Sequence, residues 1–206
     1  PGQDPVAVAI TMRTPGREDE LAVGFLRTEG LIDGPEVIRT TTGDPASMNQ
    51  PDDQVTVHLA RPFDASRVAE RHFVATASCG ICGKASLDEV AVRSDPIPDG
   101  PVVTRPVILA LPDLLRAAQR AFDETGGLHA AALYSPKGEL LALREDVGRH
   151  NALDKLVGSQ LMAGALPLHD RIVMVSGRVS FEIVQKAAVA GAPILCAVSA
   201  PSDLAI

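Results

Sequence analysis

Aromatic side chains are almost missing from this sequence. Tryptophan is absent, tyrosine occurs once, and Phe, Trp and Tyr together make up 3% of the 206 residues. Hydrophobic residues nevertheless reach 46%, so the core must be packed mainly by Leu, Val, Ile and Ala. The length suits one large domain or two small ones.

Long apolar runs, an excess of basic residues and a disulfide framework are missing too. The most apolar stretch, 187–200, is broken by Gly191 and Pro193 and is shorter than the roughly 20 residues of a membrane span. The formal charge of −7 with 19 Lys and Arg argues against nucleic acid as a partner, although a local basic site stays possible.

Three cysteines are too few for a disulfide scaffold, so we expect a reducing, cytoplasmic setting. No signal peptide is visible, and the first residue is Pro1 rather than Met, which leaves an earlier N-terminus open.

The first half of the chain predicts strands around one helix. Thr14 and Pro15 are typical of a helix start, and Gly30 suits its end. The acidic residues 18–20 suit the positive end of the helix dipole. The other predicted features are strands 6–12, 55–59 and 73–77, a loop at 40–53 and a proline-rich linker at 94–101. The linker divides the chain into an N-terminal α+β domain, 1–95, and a C-terminal α/β domain, 102–206.

After the linker, helices and strands alternate. A helix is predicted from the spacing of its apolar residues, Leu111, Leu114, Leu115, Ala118 and Phe122. The remaining predicted elements are a hairpin of strands 128–134 and 139–144, helix 148–162, strand 171–175, helix 180–190 and strand 194–198. This order predicts a layered α/β domain in which helices cover a mixed sheet.

The segment SCGICG, 78–83, pairs Cys79 with Cys82 and places a glycine after each. A structural zinc site needs four ligands, which would have to come from Cys196, His58 or His72. Cys196 lies in an apolar strand and is more typical of a small buried side chain. We therefore do not predict a metal site.

Two sulfur chemistries remain open for the paired thiols, beside the simpler interpretation that the cysteines are incidental to a turn. Strand 73–77 precedes the pair and a short helix, 84–92, follows it, so the helix start would favour a reactive thiolate. Such a thiolate could cycle as a disulfide or carry a persulfide sulfur. Gly80 and Gly83 favour a carrier whose loop visits two partners.

A second group of polar residues lies where a strand leads into a helix. Glu145 and Asp146 end the strand, and Arg149, His150 and Asn151 enter the helix. The simpler interpretation is that Asp146 caps the helix and His150 lies at the surface. As a group they indicate a ligand site, because strand-to-helix junctions commonly bind ligands.

A third group follows the next strand. Ser176, Gly177 and Arg178 lead through Ser180 into a helix start, where free N–H groups favour anions and an arginine can grip a phosphate. An arginine facing solvent is the alternative. Two such junctions together predict a phosphate-bearing ligand. His129 is a further candidate, although a lone histidine at a strand start is more often a hydrogen-bonded structural residue than a ligand.

Six segments carry a family resemblance: 13–16 (RTPG), 20–32 (ELAVGFLRTEGLI), 78–83 (SCGICG), 125–133 (TGGLHAAAL), 145–158 (EDVGRHNALDKLVG) and 176–206 (SGRVSFEIVQKAAVAGAPILCAVSAPSDLAI). They resemble the formate dehydrogenase accessory sulfurtransferases, the FdhD family, over nearly the whole chain. The resemblance implies a cytoplasmic, homodimeric protein that receives persulfide sulfur from a cysteine desulfurase. It passes this sulfur to the molybdenum (or tungsten) bis-guanine-dinucleotide cofactor destined for formate dehydrogenase. Cys79 matches the persulfide-forming cysteine and Cys82 its partner.

The resemblance also implies a fold. The C-terminal domain is expected to be a cytidine deaminase-like three-layer α/β/α domain with a mixed sheet. Deaminases carry H-x-E and P-C-x-x-C at two helix starts, whereas this chain has residues 149–151 and 176–178 there, without the glutamate and the cysteines. The family normally continues beyond residue 206 with a segment that contributes to cofactor binding.

Two rival functions stay open beside the sulfur carrier. One is a cofactor chaperone that moves no sulfur, and the other is a dithiol redox protein.

Overall fold

The computed structural model describes residues 3–34, 36–43, 54–69 and 94–206. The predicted strand 73–77, the cysteines Cys79 and Cys82, and the predicted helix 84–92 lie outside these residues. Within them the elements, in chain order, are helix α1 (Glu18–Thr28), strands β1 (Val37–Thr42) and β2 (Val55–Leu59), helices α2 (Ser66–Ala69), α3 (Arg105–Ala118) and α4 (Arg120–Thr125), strands β3 (His129–Tyr134) and β4 (Leu140–Asp146), helix α5 (Arg149–Met162), strand β5 (Ile172–Val175), helix α6 (Phe181–Val189), strand β6 (Ile194–Ala197) and a 3-10 turn (Asp203–Ala205).

The main sheet has four strands in the order β4-β3-β5-β6. β3 runs antiparallel to both β4 and β5, whereas β5 and β6 are parallel. The sheet is therefore mixed, as the order of elements predicts. β1 and β2 form a separate antiparallel pair.

Helices cover both faces of the main sheet. Alternate residues of β3 point to opposite faces: Ala131 and Leu133 pack with residues of α5 and α6, and Ala130 and Ala132 pack with Leu111 and Leu115 of α3. Aliphatic and small side chains fill most of both layers, with Tyr134 and Met174 added on the α3 side, which is how a chain so poor in aromatic residues builds its core.

Helix α1 packs against α5 at an unusually close crossing. A Cβ atom added at Gly24 would lie 1.8 Å from the carbonyl oxygen of Asp154, and one added at Gly158 would lie 1.9 Å from that of Glu20. Only glycine permits this approach. Glu20 also pairs with Arg144 of β4, so α1 is tied to the sheet as well as to α5.

A buried ion cluster joins α1, α5 and α6. Lys186 Nζ lies 2.9 Å from Asp154 Oδ1, 3.0 Å from Glu29 Oε1 and 2.8 Å from Thr28 Oγ1. Burial alone would lower the pKa of Lys186, but the carboxylates of Asp154 and Glu29 outweigh it and raise the pKa above its usual value. The lysine therefore stays charged and holds the end of α1 in place.

The structure corrects the predicted elements of the first half. Residues 6–12 form no strand beyond a single β-bridge position at Ile10, and Ile10 and Met12 are 88% and 82% exposed. Helix α1 begins at Glu18 rather than at Thr14, because the Thr14 side chain accepts a bond from the N–H of Val147 instead. The predicted loop 40–53 overlaps β1, whose threonines, although polar, are β-branched and favour strands.

In the second half the predicted strands and helices are confirmed to within two residues at most boundaries. One helix differs, because the segment around Leu111 to Phe122 is divided at Gln119 into α3 and α4. Glu145 stabilises the start of α4 by accepting hydrogen bonds from the N–H groups of Ala121 and Phe122. Leu114 is 43% exposed rather than in the core. The division into domains 1–95 and 102–206 stays a prediction.

No helix in the described part of the chain is long and apolar enough to cross a membrane.

Candidate functional site

Two helix starts lie at one edge of the main sheet. β4 ends at Asp146 just before α5, and β5 ends at Val175 just before the loop that leads into α6. Because β3 is antiparallel to both strands, its first residue, His129, lies at the same edge, directly opposite Asp146. We call this edge, with the starts of α5 and α6, the strand-end site.

His129, Arg149 and Gly177 meet in the strand-end site. A Cβ atom at Gly177 would lie 3.4 Å from His129 Nδ1 and 3.5 Å from the Cδ atom of Arg149. The Nε atom of Arg149 is buried and has no hydrogen-bond partner among the described residues. A buried donor without an acceptor is costly, so this arginine is suited to an anionic ligand.

Burial lowers the pKa of His129, and the neighbouring Arg149 and His150 lower it further when they are charged. His129 is therefore neutral near pH 7 and can accept or donate one hydrogen bond without adding a charge.

His150 links the starts of the two helices. Its Nε2 atom lies 3.3 Å from Ser180 Oγ and 3.0 Å from Glu182 Oε2. The second contact is close but is not an aligned hydrogen bond, since no described residue partners Glu182 Oε2 in hydrogen-bond geometry. Ser180 precedes α6 and makes no side-chain cap of its own helix, so its hydroxyl is directed to the site.

Asp146 and Asn151 are turned inward. The buried Asp146 carboxylate accepts bonds from the N–H of Gly148 at 3.0 Å and from Asn151 Nδ2 at 3.0 Å. It also pairs with Lys155 Nζ at 2.7 Å. Further partners lie in the segment before α1: Asp146 accepts from the N–H of Thr14, and Asn151 donates to the carbonyl of Met12. The two predicted site residues thus use their polar atoms to hold other parts of the protein.

Of the predicted residues at the junction between β5 and α6, Ser176 bonds within the protein and Arg178 is exposed. The Ser176 hydroxyl accepts a bond from the N–H of Ala130 at 2.8 Å and so extends the sheet pairing. Arg178 is exposed, and no hydrogen bond or ion pair links it to another described residue. The structure thus brings His129, Arg149, His150 and Ser180 together, leaves Arg178 at the rim and uses Ser176 in the sheet.

Free backbone donors add to the site. The first helical bonds are those from Ala152 N–H to the Gly148 carbonyl and from Val184 N–H to the Ser180 carbonyl. The N–H groups ahead of Ala152 and Val184 in the first turns of α5 and α6 have no intrahelical acceptor. Together with the helix dipoles and Arg149, they can bind a phosphate group.

The described residues contain no group of three His, Cys, Asp or Glu side chains that could hold a metal ion. Cys196 of β6 is half-buried, and burial raises the pKa of its thiol. It therefore behaves as a small apolar residue, not as a thiolate ligand or nucleophile. Cys79 and Cys82 lie outside the described residues.

A cavity of about 600 Å³ lies elsewhere, near the last turn of α5. It is lined by residues such as Arg27, Arg39 and Leu161, and by none of the eight predicted cofactor-binding residues. Leu161 is twelve residues beyond Arg149 on one helix, which at about 1.5 Å per residue is roughly 18 Å away. The cavity and the strand-end site are therefore separate, and the cationic groups and the two helix starts coincide only at the strand-end site among the described residues.

Sequence reasoning missed Glu182 and Lys155. Glu182, two residues after Ser180, has the pattern of an ordinary acidic residue in the first turn of a helix, and a lysine inside a helix is usually at the surface. Nothing in the sequence indicates that Glu182 turns toward His150 and Lys155 toward Asp146.

Known proteins resemble this chain over almost all of its length. A sequence model of the FdhD/NarQ family matches residues 4–206. Sulfur carrier protein FdhD of Streptomyces avermitilis is 49% identical over 211 residues, covering 97% of this chain and 73% of that protein. Sulfur carrier protein FdhD of Mycolicibacterium paratuberculosis is 50% identical over 210 residues, covering 97% of this chain and 76% of that protein.

A solved structure shares the fold. The crystal structure of a Desulfotalea psychrophila protein, described as a formate dehydrogenase accessory protein, superposes with a TM-score of 0.69 at 23% identity. It covers 95% of this chain and 70% of the other. With the family match and the close relatives, the assignment is clear: this chain belongs to the FdhD/NarQ family.

Proposed function

We propose that this protein is a sulfur carrier in the maturation of formate dehydrogenase. The observation that carries the proposal is the match to the family along residues 4–206, a range that includes SCGICG. Curated relatives nearly half identical to this chain are named sulfur carriers, which supports the same role here.

In the proposed reaction, the Cys79 thiolate attacks the terminal sulfur of a persulfide on a cysteine desulfurase. A new sulfur–sulfur bond forms on Cys79, and the desulfurase cysteine leaves as a thiolate. The Cys82 thiolate then attacks the Cys79 sulfur, which forms a Cys79–Cys82 disulfide and releases the outer sulfur as hydrosulfide. A cellular thiol reductant restores both thiols.

The acceptor is proposed to be the molybdenum (or tungsten) bis-guanine-dinucleotide cofactor, bound as substrate. Its phosphates would lie against the strand-end site, on Arg149, Arg178 and the free N–H groups of the two helix starts. Asp146, Asn151 and Ser176 support this site from within, while His129, His150 and Ser180 line it.

The architecture is proposed to be cytidine deaminase-like. The hairpin of β3 and β4, the parallel pair of β5 and β6, and helices on both faces support this relationship. In deaminases the corresponding helix starts hold a zinc ion. Here they carry Arg149 and Arg178, so anion binding would replace zinc binding at the same positions of the fold.

The proposal also includes a cysteine desulfurase as sulfur donor and formate dehydrogenase as recipient of the cofactor. It further includes a homodimer and a cytoplasmic location. These four parts of the proposal rest on the family resemblance. Nucleic acid and membranes are not proposed as partners, since the chain is acidic overall.

Replacing the first cysteine tests the function directly. Cys79→Ala should abolish formate dehydrogenase maturation in a strain that depends on this protein, because Cys79 is the residue proposed to accept the persulfide from the desulfurase. Cys196→Ala is the matched control and should remain active. Active Cys79→Ala and Cys82→Ala proteins would instead favour the cofactor chaperone, and disulfide reductase activity without any desulfurase would favour the dithiol redox protein.

The strand-end site is tested by Arg178→Ala. The loss of a charge-assisted bidentate contact typically costs about 2–4 kcal/mol, or roughly 30- to 1000-fold in affinity. Calorimetry with GDP at fixed salt should therefore show binding weakened by at least roughly 30-fold in the variant, while Cys79 still accepts persulfide. Arg120→Ala, an exposed arginine on α4, is the control. Equal GDP affinity in Arg178→Ala and the parent would move the phosphate pocket elsewhere.

A further inference from the structure

The segment just before α1 crosses the start of α5 and is held there by buried side chains. Thr14 N–H donates to Asp146 Oδ2 at 3.0 Å, and Lys155 Nζ donates to the carbonyl of Thr14 at 2.8 Å. Asn151 Nδ2 donates to the carbonyl of Met12 at 2.8 Å. We call residues 11–14 the strap.

Lys155 and Asp146 form the centre of this arrangement. They are 2% and 0% exposed, and their ion pair of 2.7 Å joins the second turn of α5 to the last residue of β4. The pair also binds both sides of Thr14: Asp146 accepts from its N–H and Lys155 donates to its carbonyl.

The turn between β4 and α5 depends on the same carboxylate. Gly148, which precedes the first residue of α5, donates its N–H to Asp146 Oδ1, and Val147 donates its N–H to Thr14 Oγ1. Arg149 and His150 follow immediately. Since no described hydrogen bond holds Arg149 Nε, the direction of the turn decides where the guanidinium lies.

We propose that Lys155 and Asp146, acting through the strap and the β4–α5 turn, are positioning residues that hold Arg149 beside His129 for anion binding. The inference rests on the proposed function, because the anion site is itself part of that proposal. Lys155 and Asp146 do not touch the ligand; their role is to prevent the first turn of α5 from swinging Arg149 into solvent.

Lys155→Met and Lys186→Met form a matched pair for the test. Both replace a buried lysine that is paired with a buried aspartate, so both are expected to lower the melting temperature. Lys186 lies in the ion cluster at the end of α1, away from the β4–α5 turn. A purely structural role for Lys155 would make the two variants alike in every other measurement.

Two measurements on folded protein separate the variants: the pKa of His129 from an NMR titration, and GDP affinity by calorimetry. Lys155→Met should raise the pKa of His129 toward its ordinary value, because the Arg149 charge moves away. It should weaken GDP binding on the order of tenfold, by analogy with the loss of residues that orient the ligands of a metal site. Lys186→Met should change neither.

Asn151→Ala provides a second route if Lys155→Met does not fold. It removes the bonds to Met12 and Asp146 but keeps the buried ion pair, and it should raise the pKa of His129 in the same direction. An unchanged pKa of His129 in the folded variant, or an equal change in Lys186→Met, overturns the positioning role. If the parent binds no GDP, the proposed cofactor site fails instead, and the pKa of His129 alone decides the positioning role.

Discussion

At the scale of single residues, the strand-end site places a neutral histidine beside an arginine whose Nε atom has no hydrogen-bond partner in the described part of the chain. His129 and Arg149 meet at Gly177, and His150 contacts Ser180 and Glu182 across the two helix starts. A bound phosphate would partly neutralise the positive charge around His129. The protonation of this histidine therefore reports on whatever occupies the site.

The first residue-scale prediction concerns the titration of His129. Burial and the charges of Arg149 and His150 lower its pKa, so NMR should give a value below the usual 6.5 or so. Arg149→Gln should raise that pKa, while Arg120→Gln on the surface of α4 should not. A pKa at or above the ordinary value, unaffected by Arg149→Gln, would contradict the described proximity.

The sign of the stability effect follows from the same shift. Below about pH 6.5 the unfolded chain binds a proton at His129 more readily than the folded protein does. The stabilisation from this residue is therefore present above about pH 6.5 and is lost as the pH falls through the folded pKa. Urea unfolding at a series of pH values should show a shallower acid-side decline for His129→Gln than for the parent.

The members of the strand-end site could be predicted from sequence, but their directions could not. Residues at the ends of neighbouring strands must share an edge of the sheet, which places His129, Arg149 and Ser180 near one another. The inward turn of Asp146 depends on Lys155 and on Thr14, which lies more than a hundred residues earlier in the chain. No local pattern encodes such a contact.

At the scale of elements, the α1–α5 crossing decides how closely the first helix approaches the sheet layer. Gly24 and Gly158 face each other's helix backbones, with no space for a methyl group on either side. Both sit inside helices, where glycine is unfavourable by about 1 kcal/mol relative to alanine. The packing they permit must outweigh that cost.

Gly24→Ala therefore tests packing against propensity. Helix propensity alone would make the variant more stable, but the added Cβ would overlap the carbonyl of Asp154, and the helices would have to separate. We expect a loss of about 3 kcal/mol or more in the free energy of unfolding, at the upper end for overpacked sites. Urea denaturation measures it.

Gly127→Ala is the control for this prediction. The nearest atom to an added Cβ is the Thr125 carbonyl oxygen at 3.9 Å, so the change should stay within about 0.5 kcal/mol. A Gly24→Ala protein as stable as the parent would show that α1 and α5 do not cross as described.

Helices and strands were predicted correctly where a regular apolar pattern is bounded by clear end residues. The prediction failed where contacts with distant parts of the chain determine the local structure. α5, α6 and the strands of the main sheet have regular apolar patterns and clear ends. Residues 6–12 show an equally apolar pattern, yet they form only a single β-bridge position at Ile10, and Ile10 and Met12 are exposed. Thr14 resembles a helix cap, but its hydroxyl binds the N–H of Val147 instead.

At the scale of the whole molecule, the proposed function requires an acidic protein of net charge −7 to receive sulfur from one partner and to bind a polyanionic cofactor. In that proposal the cationic groups of the strand-end site would bind the cofactor. The paired thiols of SCGICG would carry the sulfur. The central claim is thus that sulfur resides on Cys79 during the cycle.

Mass spectrometry of the protein after incubation with a cysteine desulfurase and L-cysteine tests that claim most directly. The account predicts one or more added sulfur atoms in the peptide that spans residues 78–84. The addition should be removed by a thiol reductant, be absent from Cys79→Ala and be retained by Cys196→Ala. No added sulfur in that peptide, or the same addition in Cys79→Ala, would contradict the account.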